Sequence, residues 1–292
     1  MLDTPPPNES LHRGAITSEP VRGRPVQIGT GFSALGFKHD SFDGLMDPLV
    51  MVDHFTMSEP TFGPHPHAGM SAVSILFEDS EGRFHNRDSL GNDLDLMPGD
   101  LYWLAAGRGA VHDEKPRPGS RTHALQVFVN LPSRCKQQAP DALHVRAADM
   151  PVLAADGSSV RIVLGSSNGV QGARSPALPL TILDAHLSAG GRFVHAMPAD
   201  ADAWLLAVGG DAQIAVAAST IALREGFAVA VRSGPTALPL AMTSAGGAHL
   251  AMLQGDPIRE RFVQRGPFVM SNTAALAAVT AAHAAGRLGS ID

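Results

Sequence analysis

The 292-residue chain holds a single cysteine, Cys135, so no internal disulfide can staple it. A lone thiol suits a reducing compartment. No run approaches the roughly 18 apolar residues that a membrane helix needs. The opening stretch MLDTPPPNES has neither the basic nor the apolar block of a secretory leader. Charged residues are scarce at 17%, and 22 Lys+Arg against 28 Asp+Glu leave a net charge of −6. With no block of like charges, a basic nucleic-acid-binding surface is not expected. A phosphate-cradling glycine loop and a serine-nucleophile motif are also missing. From these absences we expect a cytoplasmic protein with no membrane and no direct nucleic-acid partner. Its first ~15 residues read as a flexible, proline-rich tail.

What is present is β-structure. The apolar runs are short and bounded by Gly, Pro, Asn and Asp, as in SAVSILFED, GDLYWLAAG, HALQVFVNLP, AWLLAVGG and FAVAVRSG. Such spacing predicts an all-β sandwich or barrel rather than βαβ units. DSLGND, residues 88–93, reads as a turn between two strands. One helix is predicted, near the end, in SNTAALAAVTAAHAAGR. Ser271, Asn272 and Thr273 are its N-cap candidates and Gly286 its stop. Leu276 and Val279 would pack it across a barrel wall.

The two halves echo each other. With Ser71 set on Ala201, His65 falls on His195 and His67 on Met197. With Gly99 set on Gly226, His112 falls on Pro239 and Glu114 on Ala241. The sequence reads as two copies of one β unit, of which the first kept a polar cluster.

That cluster begins in FGPHPHAGM. His65 and His67 are two apart, so on an extended chain both rings share a face, and Pro64 and Pro66 stiffen the backbone that aims them. Forty-five residues after His67, in GRGAVHDEKP, His112 and Glu114 repeat the spacing. On facing strands the two pairs would bring together three nitrogens and one oxygen. That donor set suits a first-row divalent metal such as Fe, Mn, Ni, Cu, Co or Zn. It would leave an octahedral ion two open positions, where a closed tetrahedral site leaves none.

MDPLVMVDHF, FGPHPHAGM, RDSLGN, PGDLYWLAAGRGAVHDE, VFVNLPSRCK and GPFVMSNTAALAAV, in that order, resemble the pirin family of the cupin superfamily. The resemblance implies two cupin (jelly-roll) barrels facing each other. We expect residues 1–142 to form the metal-carrying barrel, and residues 143–292 a barrel without metal ligands plus the C-terminal helix. It also implies a mononuclear iron, Fe(II), on His65, His67, His112 and Glu114. The chain departs from the usual pattern in having Ser71 where cupins commonly place a glutamate, and Ala68 where many pirins place arginine.

Two functions follow from the resemblance. One is a flavonol dioxygenase (quercetinase), with a small aromatic, flavonol-like substrate and O₂ as partners and Glu114 as the catalytic proton acceptor. The other is a metal-containing regulatory or redox-sensing protein that acts on a protein partner without turnover. A cavity large enough for a planar three-ring ligand would separate them. Among the remaining polar residues, His54 and His85 read as hydrogen-bonded structural histidines and Arg108 as part of a glycine-flanked turn. Asp53 is a candidate acceptor for a ligand-histidine N–H, and Cys135 reads as an inert thiol. Trp103 is expected in the core.

Overall fold

Many strands of this protein are buried on both faces, which is why their apolar runs look continuous. In the strand Leu101–Ala105, Leu101, Trp103 and Ala105 join one apolar cluster, while Tyr102 and Leu104 join another. Thr122–Asn130 divides in the same way. Leu125, Val127 and Val129 face one way, and Ala124, Gln126 and Phe128 the other. A strand with such a two-sided role must sit between a barrel interior and a second layer. The computed structural model describes residues 14–291, so residues 1–13 of the expected tail lie outside the described residues.

The first barrel is built from two sheets. A seven-stranded sheet runs in the order Asp141–Val145, Leu101–Ala105, Met70–Leu76, Thr122–Asn130, Leu49–Met57, Phe32–Lys38, Arg24–Ile28. Opposite it lies a four-stranded sheet ordered His65–His67, Ala110–Pro116, Phe84–Asp88, Asp93–Leu96. The second barrel repeats the plan. Its large sheet is centred on Phe227–Arg232, Asp202–Gly209, Ala248–Gly255, Leu180–Leu187 and Ser158–Leu164, and its small sheet on Arg192–Met197, Leu238–Thr243, Ala212–Val216 and Ser219–Leu223. The fold is therefore all-β with two facing barrels. Their large sheets meet in one continuous core that includes Trp103 and Trp204, both essentially inaccessible to solvent.

The halves exchange their ends. Ile16–Thr17 and Val21–Arg22 both pair with Phe227–Arg232 in the second barrel. Near the C-terminus, the hairpin of Val263–Arg265 and Phe268–Met270 returns to the first barrel, where Phe268 bridges Ala68. The helix Thr273–Ala284 follows, capped by the Asn272 side chain accepting from the Ala275 N–H at 2.9 Å. Gly286, at φ +68°, stands just past its end. Leu276 and Val279 pack on Ala68, Val111, Phe268 and Met270, so the helix braces the outside of the histidine-bearing strands. Among the described residues no helix is long and apolar enough to cross a membrane.

Strand register corrects one detail of the internal echo. His65 opposes His112 in the first barrel, and His195 opposes Leu240 in the second. With His195 set on His65, the counterparts of His112 and Glu114 are thus Leu240 and Met242, one residue beyond Pro239 and Ala241. The offset arises because the glycine turn used as anchor lies outside the paired strands. Met197, Leu240 and Met242 are all fully buried in the second barrel's apolar interior.

A buried acid ties down the last strand of the first barrel. Asp100 accepts from the Met97 N–H at 3.0 Å, the Ala147 N–H at 2.8 Å and the His144 ring at 2.8 Å. Burial pushes its carboxyl up, but these donors outweigh burial and hold it below its ordinary value. A depressed folded-state value contributes stability above the unfolded carboxylate range and loses it as the pH falls below that range. Asp100→Asn is therefore expected to flatten the acid limb of the stability profile between about pH 5 and 2, measured by urea unfolding. An unchanged slope would remove Asp100 from the account of acid stability.

Candidate metal centre and its cavity

The short strand His65–His67 pairs antiparallel with Ala110–Pro116, and this places His65 directly across from His112. The His65 ring is oriented by its own loop: Nδ1 lies 2.9 Å from the Gly63 carbonyl, which can only accept, so Nδ1 carries the proton. With the proton on Nδ1, Nε2 of His65 is the ring atom that can offer a lone pair. It stands 3.0 Å from His112 Nε2, which in turn stands 2.9 Å from His67 Nε2. Three ring nitrogens thus converge on one point inside the first barrel.

Burial and mutual proximity keep the His67 and His112 rings neutral. Burial, with the neighbouring His65 adding to it and Asp113 opposing, lowers the His112 ring to about 3. Burial also holds His67 well below the ordinary imidazole range, helped by His112 and His65 and opposed by the Pro267 carbonyl. His112 Nε2 faces two other ring nitrogens yet carries either one proton or one lone pair, so protons alone cannot satisfy both contacts. A cation shared by the lone pairs resolves it, so the residues fit a metal.

Glu114 stands beside this group rather than within it. Its Oε2 is 3.9 Å from His112 Nδ1, and its Oε1 accepts from the Ser74 hydroxyl at 2.7 Å. Gln126 Oε1 lies 3.1 Å from the same hydroxyl. Burial pushes the Glu114 carboxyl up to about 7, with the Ser74 hydrogen bond pulling down and Asp113 adding to the rise.

His65, His67 and Glu114 line one cavity of about 710 Å³. That volume falls in the range of small-molecule pockets, roughly 300–1,000 Å³. Five of the chain's twelve phenylalanines line it: Phe32, Phe55, Phe62, Phe84 and Phe128. Phe128 meets the His67 ring edge-on, with centroids 5.2 Å apart, and Phe32 meets Phe62 edge-on at 5.2 Å. The polar lining is sparse, with Lys38, Asp53, Gln126 and Gln264 beside Glu114. Gln264, Gly266 and Pro267 come from the C-terminal hairpin, so the last part of the chain completes a cavity in the first barrel.

The other sequence candidates fall elsewhere. Asp53 lines the cavity opposite Gln126, and among the described residues no hydrogen bond joins it to a ring of the histidine group. Burial raises its carboxyl to about 6, opposed by Lys38. His54 is held by His123 at 2.7 Å and His85 by Asp93 at 2.7 Å. Arg108 is exposed on a turn between Gly107 and Gly109, both at positive φ.

Sequence reasoning missed Lys136, which is 2% exposed and donates to the Gly69 carbonyl at 2.7 Å and the Val269 carbonyl at 2.9 Å. It pins the C-terminal hairpin to the backbone just after His67. Burial lowers its ammonium to about 8, with Glu260 opposing. Its sequence neighbours Ser133, Arg134, Gln137 and Gln138 are polar, so nothing in the local sequence marked it as buried.

Comparison with known proteins gives a consistent picture. The family described as Pirin matches residues 35–129, and the Pirin C-terminal cupin domain matches residues 182–289. Pirin from Mus musculus is 31% identical over 227 residues, covering 77% of each chain. A pirin-like protein from Caulobacter vibrioides is 31% identical over 261 residues, covering 86% of this chain and 90% of its own. Among solved structures, quercetin 2,3-dioxygenase from Acinetobacter baumannii superposes with a TM-score of 0.81 at 25% identity, covering 94% of this chain and 98% of that one. The bacterial pirin YhhW of Escherichia coli, solved in complex with nickel(II), shares the fold with a TM-score of 0.62 at 17% identity, covering 83% and 99%.

Proposed function

The chain belongs to the pirin family, and from that premise we propose that it is a metal-dependent dioxygenase of planar phenolic substrates, of the quercetin 2,3-dioxygenase type. The observation that carries this reading is the cavity of about 710 Å³ that sets five phenylalanines against His65, His67 and Glu114. A regulatory role without turnover needs no such cavity. The dioxygenase name of a structural neighbour at 25% identity points the same way.

In this reading His65, His67, His112 and Glu114 hold one divalent ion, Fe(II) by family resemblance. When bound, the metal supplies a Lewis-acidic, redox-active centre at which a flavonol 3-hydroxyl and O₂ can meet. The chain's own residues do the rest. The phenylalanines take the flat rings by stacking and edge contacts and exclude water. Glu114, fixed by the Ser74 hydroxyl, accepts the proton of the substrate hydroxyl. Both oxygen atoms of O₂ enter the products, the heterocycle opens, and one carbon leaves as carbon monoxide, so no external reductant is consumed. With its lone cysteine, we place the protein in the cytoplasm.

The test is anaerobic titration of metal-loaded protein with quercetin, followed by admission of O₂. The expected result is a shifted flavonol spectrum that bleaches only with oxygen and releases carbon monoxide. Stoichiometric metal with no flavonol response would shift the case to the regulatory reading. Phe62 offers a gentler probe, because it lines the cavity yet is 40% exposed. Phe62→Ala is expected to raise KM for quercetin roughly 2- to 12-fold while leaving kcat and Tm nearly unchanged. Steady-state oxygen uptake reads this directly, and an unchanged KM would exclude Phe62 from substrate contact.

A further inference from the structure

A second set of ligating side chains lies on the outer face of the second barrel, where it meets the first. In the strand Leu180–Leu187, Asp184 and His186 are two residues apart and share a face. His249, on Ala248–Gly255, is the cross-strand partner of His186. The two imidazoles stack with centroids 4.1 Å apart and planes 16° from parallel. Two imidazolium ions at that separation would repel, so the stack cannot hold two charged rings.

Asp184 is divided between two tasks. Its Oδ2 accepts from Arg161 at 2.6 and 3.1 Å. Its Oδ1 faces the histidines, 2.5 Å from His249 Nε2 and 3.9 Å from His186 Nε2. The three ligand atoms lie within 4.8 Å of one another. The first barrel supplies the adjoining wall: Phe77 meets the His249 ring edge-on at 4.6 Å, and Glu78 lies 3.5 Å from Arg161. Asp184 is 1% exposed and His186 48%, so the acid is fixed while one imidazole is free to adjust and open to solvent.

We propose that Asp184, His186 and His249 bind a divalent ion of the borderline class, zinc, nickel or cobalt, at this seam, as a second site separate from the cavity. Two imidazoles and a carboxylate are a donor set for such ions, and water completes the coordination. Ligand atoms around a first-row ion at about 2.1 Å stand roughly 3 Å apart. The 2.5 Å contact must therefore open and the 3.9 Å gap close, a change the half-exposed His186 side chain accommodates. Arg161 orients the carboxylate but adds a positive charge, so the seam site is the weaker of the two.

The experiment is Zn²⁺ titration of chelator-stripped, full-length protein by calorimetry, with bound zinc counted after desalting. Wild type is expected to take up two equivalents. His186→Gln and His249→Gln are each expected to weaken the lower-affinity site by at least about 10-fold. His67→Ala is expected to keep that site and lose the other. Thermal unfolding of His186→Gln checks that the variant is folded. One equivalent in wild type, abolished by His186→Gln, would sustain the seam site while sinking the cavity site. Identical zinc uptake and affinity in wild type and both seam variants would overturn the proposal.

Discussion

Replacing His112 by alanine is expected to abolish stoichiometric metal uptake at the cavity, with affinity falling by well over about 100-fold. Loss of a mere supporting contact to a metal ligand already costs about 10- to 100-fold, and His112 is the hub of the group. Its Nε2 is the atom that both His65 and His67 approach, at 3.0 and 2.9 Å. Oxygen-dependent bleaching of quercetin should fall to background in the same variant. His67→Ala is expected to behave alike, since its ring is buried against His112 and Phe128. The measurement is metal content after desalting, with near-ultraviolet circular dichroism as the check on folding. Full occupancy of the cavity site in both single variants would remove these histidines from it.

The second large effect is mechanical. Gly69→Ala is expected to destabilise the protein by roughly 2–5 kcal/mol, from left-handed backbone strain and forced overpacking together. Gly69 has φ +72°, and a Cβ there would stand 2.0 Å from the Val269 carbonyl oxygen and 2.7 Å from Met270 Sδ. Only two residues past His67, the displacement should also loosen metal binding. Gly63→Ala is the control, because a Cβ at Gly63 meets nothing within 4 Å and its φ is unremarkable. That change is expected to stay within about 0.5 kcal/mol. Urea unfolding compares the two, and equal midpoints would show that the C-terminal hairpin does not press on this turn.

Much of this was legible in the chain itself. An i, i+2 pair on an extended backbone fixes a shared face, so HPH and HDE could be read as convergent from spacing alone. Family resemblance supplied the two-barrel arrangement. What spacing could not supply was anything assembled from distant strands. Phe32, Phe55, Phe62, Phe84 and Phe128 come from five separate stretches, and only strand register turns them toward one cavity. The position of Glu114 beside rather than within the histidine group depends on Ser74, forty residues away. Asp184 and His186 obey the same spacing rule as the cavity motifs, in LDAHL, but their partner His249 lies across a strand pair that the sequence does not announce. The echo between halves misled by one residue because turns drift where paired strands cannot.

The exchange of chain ends also sets an order of events during synthesis. His112 leaves the ribosome about 150 residues before Gln264, Gly266 and Pro267, and His65 and His67 about 200 residues before them. At roughly 5–20 residues per second, that is a delay on the order of ten seconds. Throughout it the histidine strands have neither the hairpin that walls their cavity nor the helix that braces them. The cavity therefore acquires its final shape only after residues 264–267 have emerged, long after the histidine strands that line it.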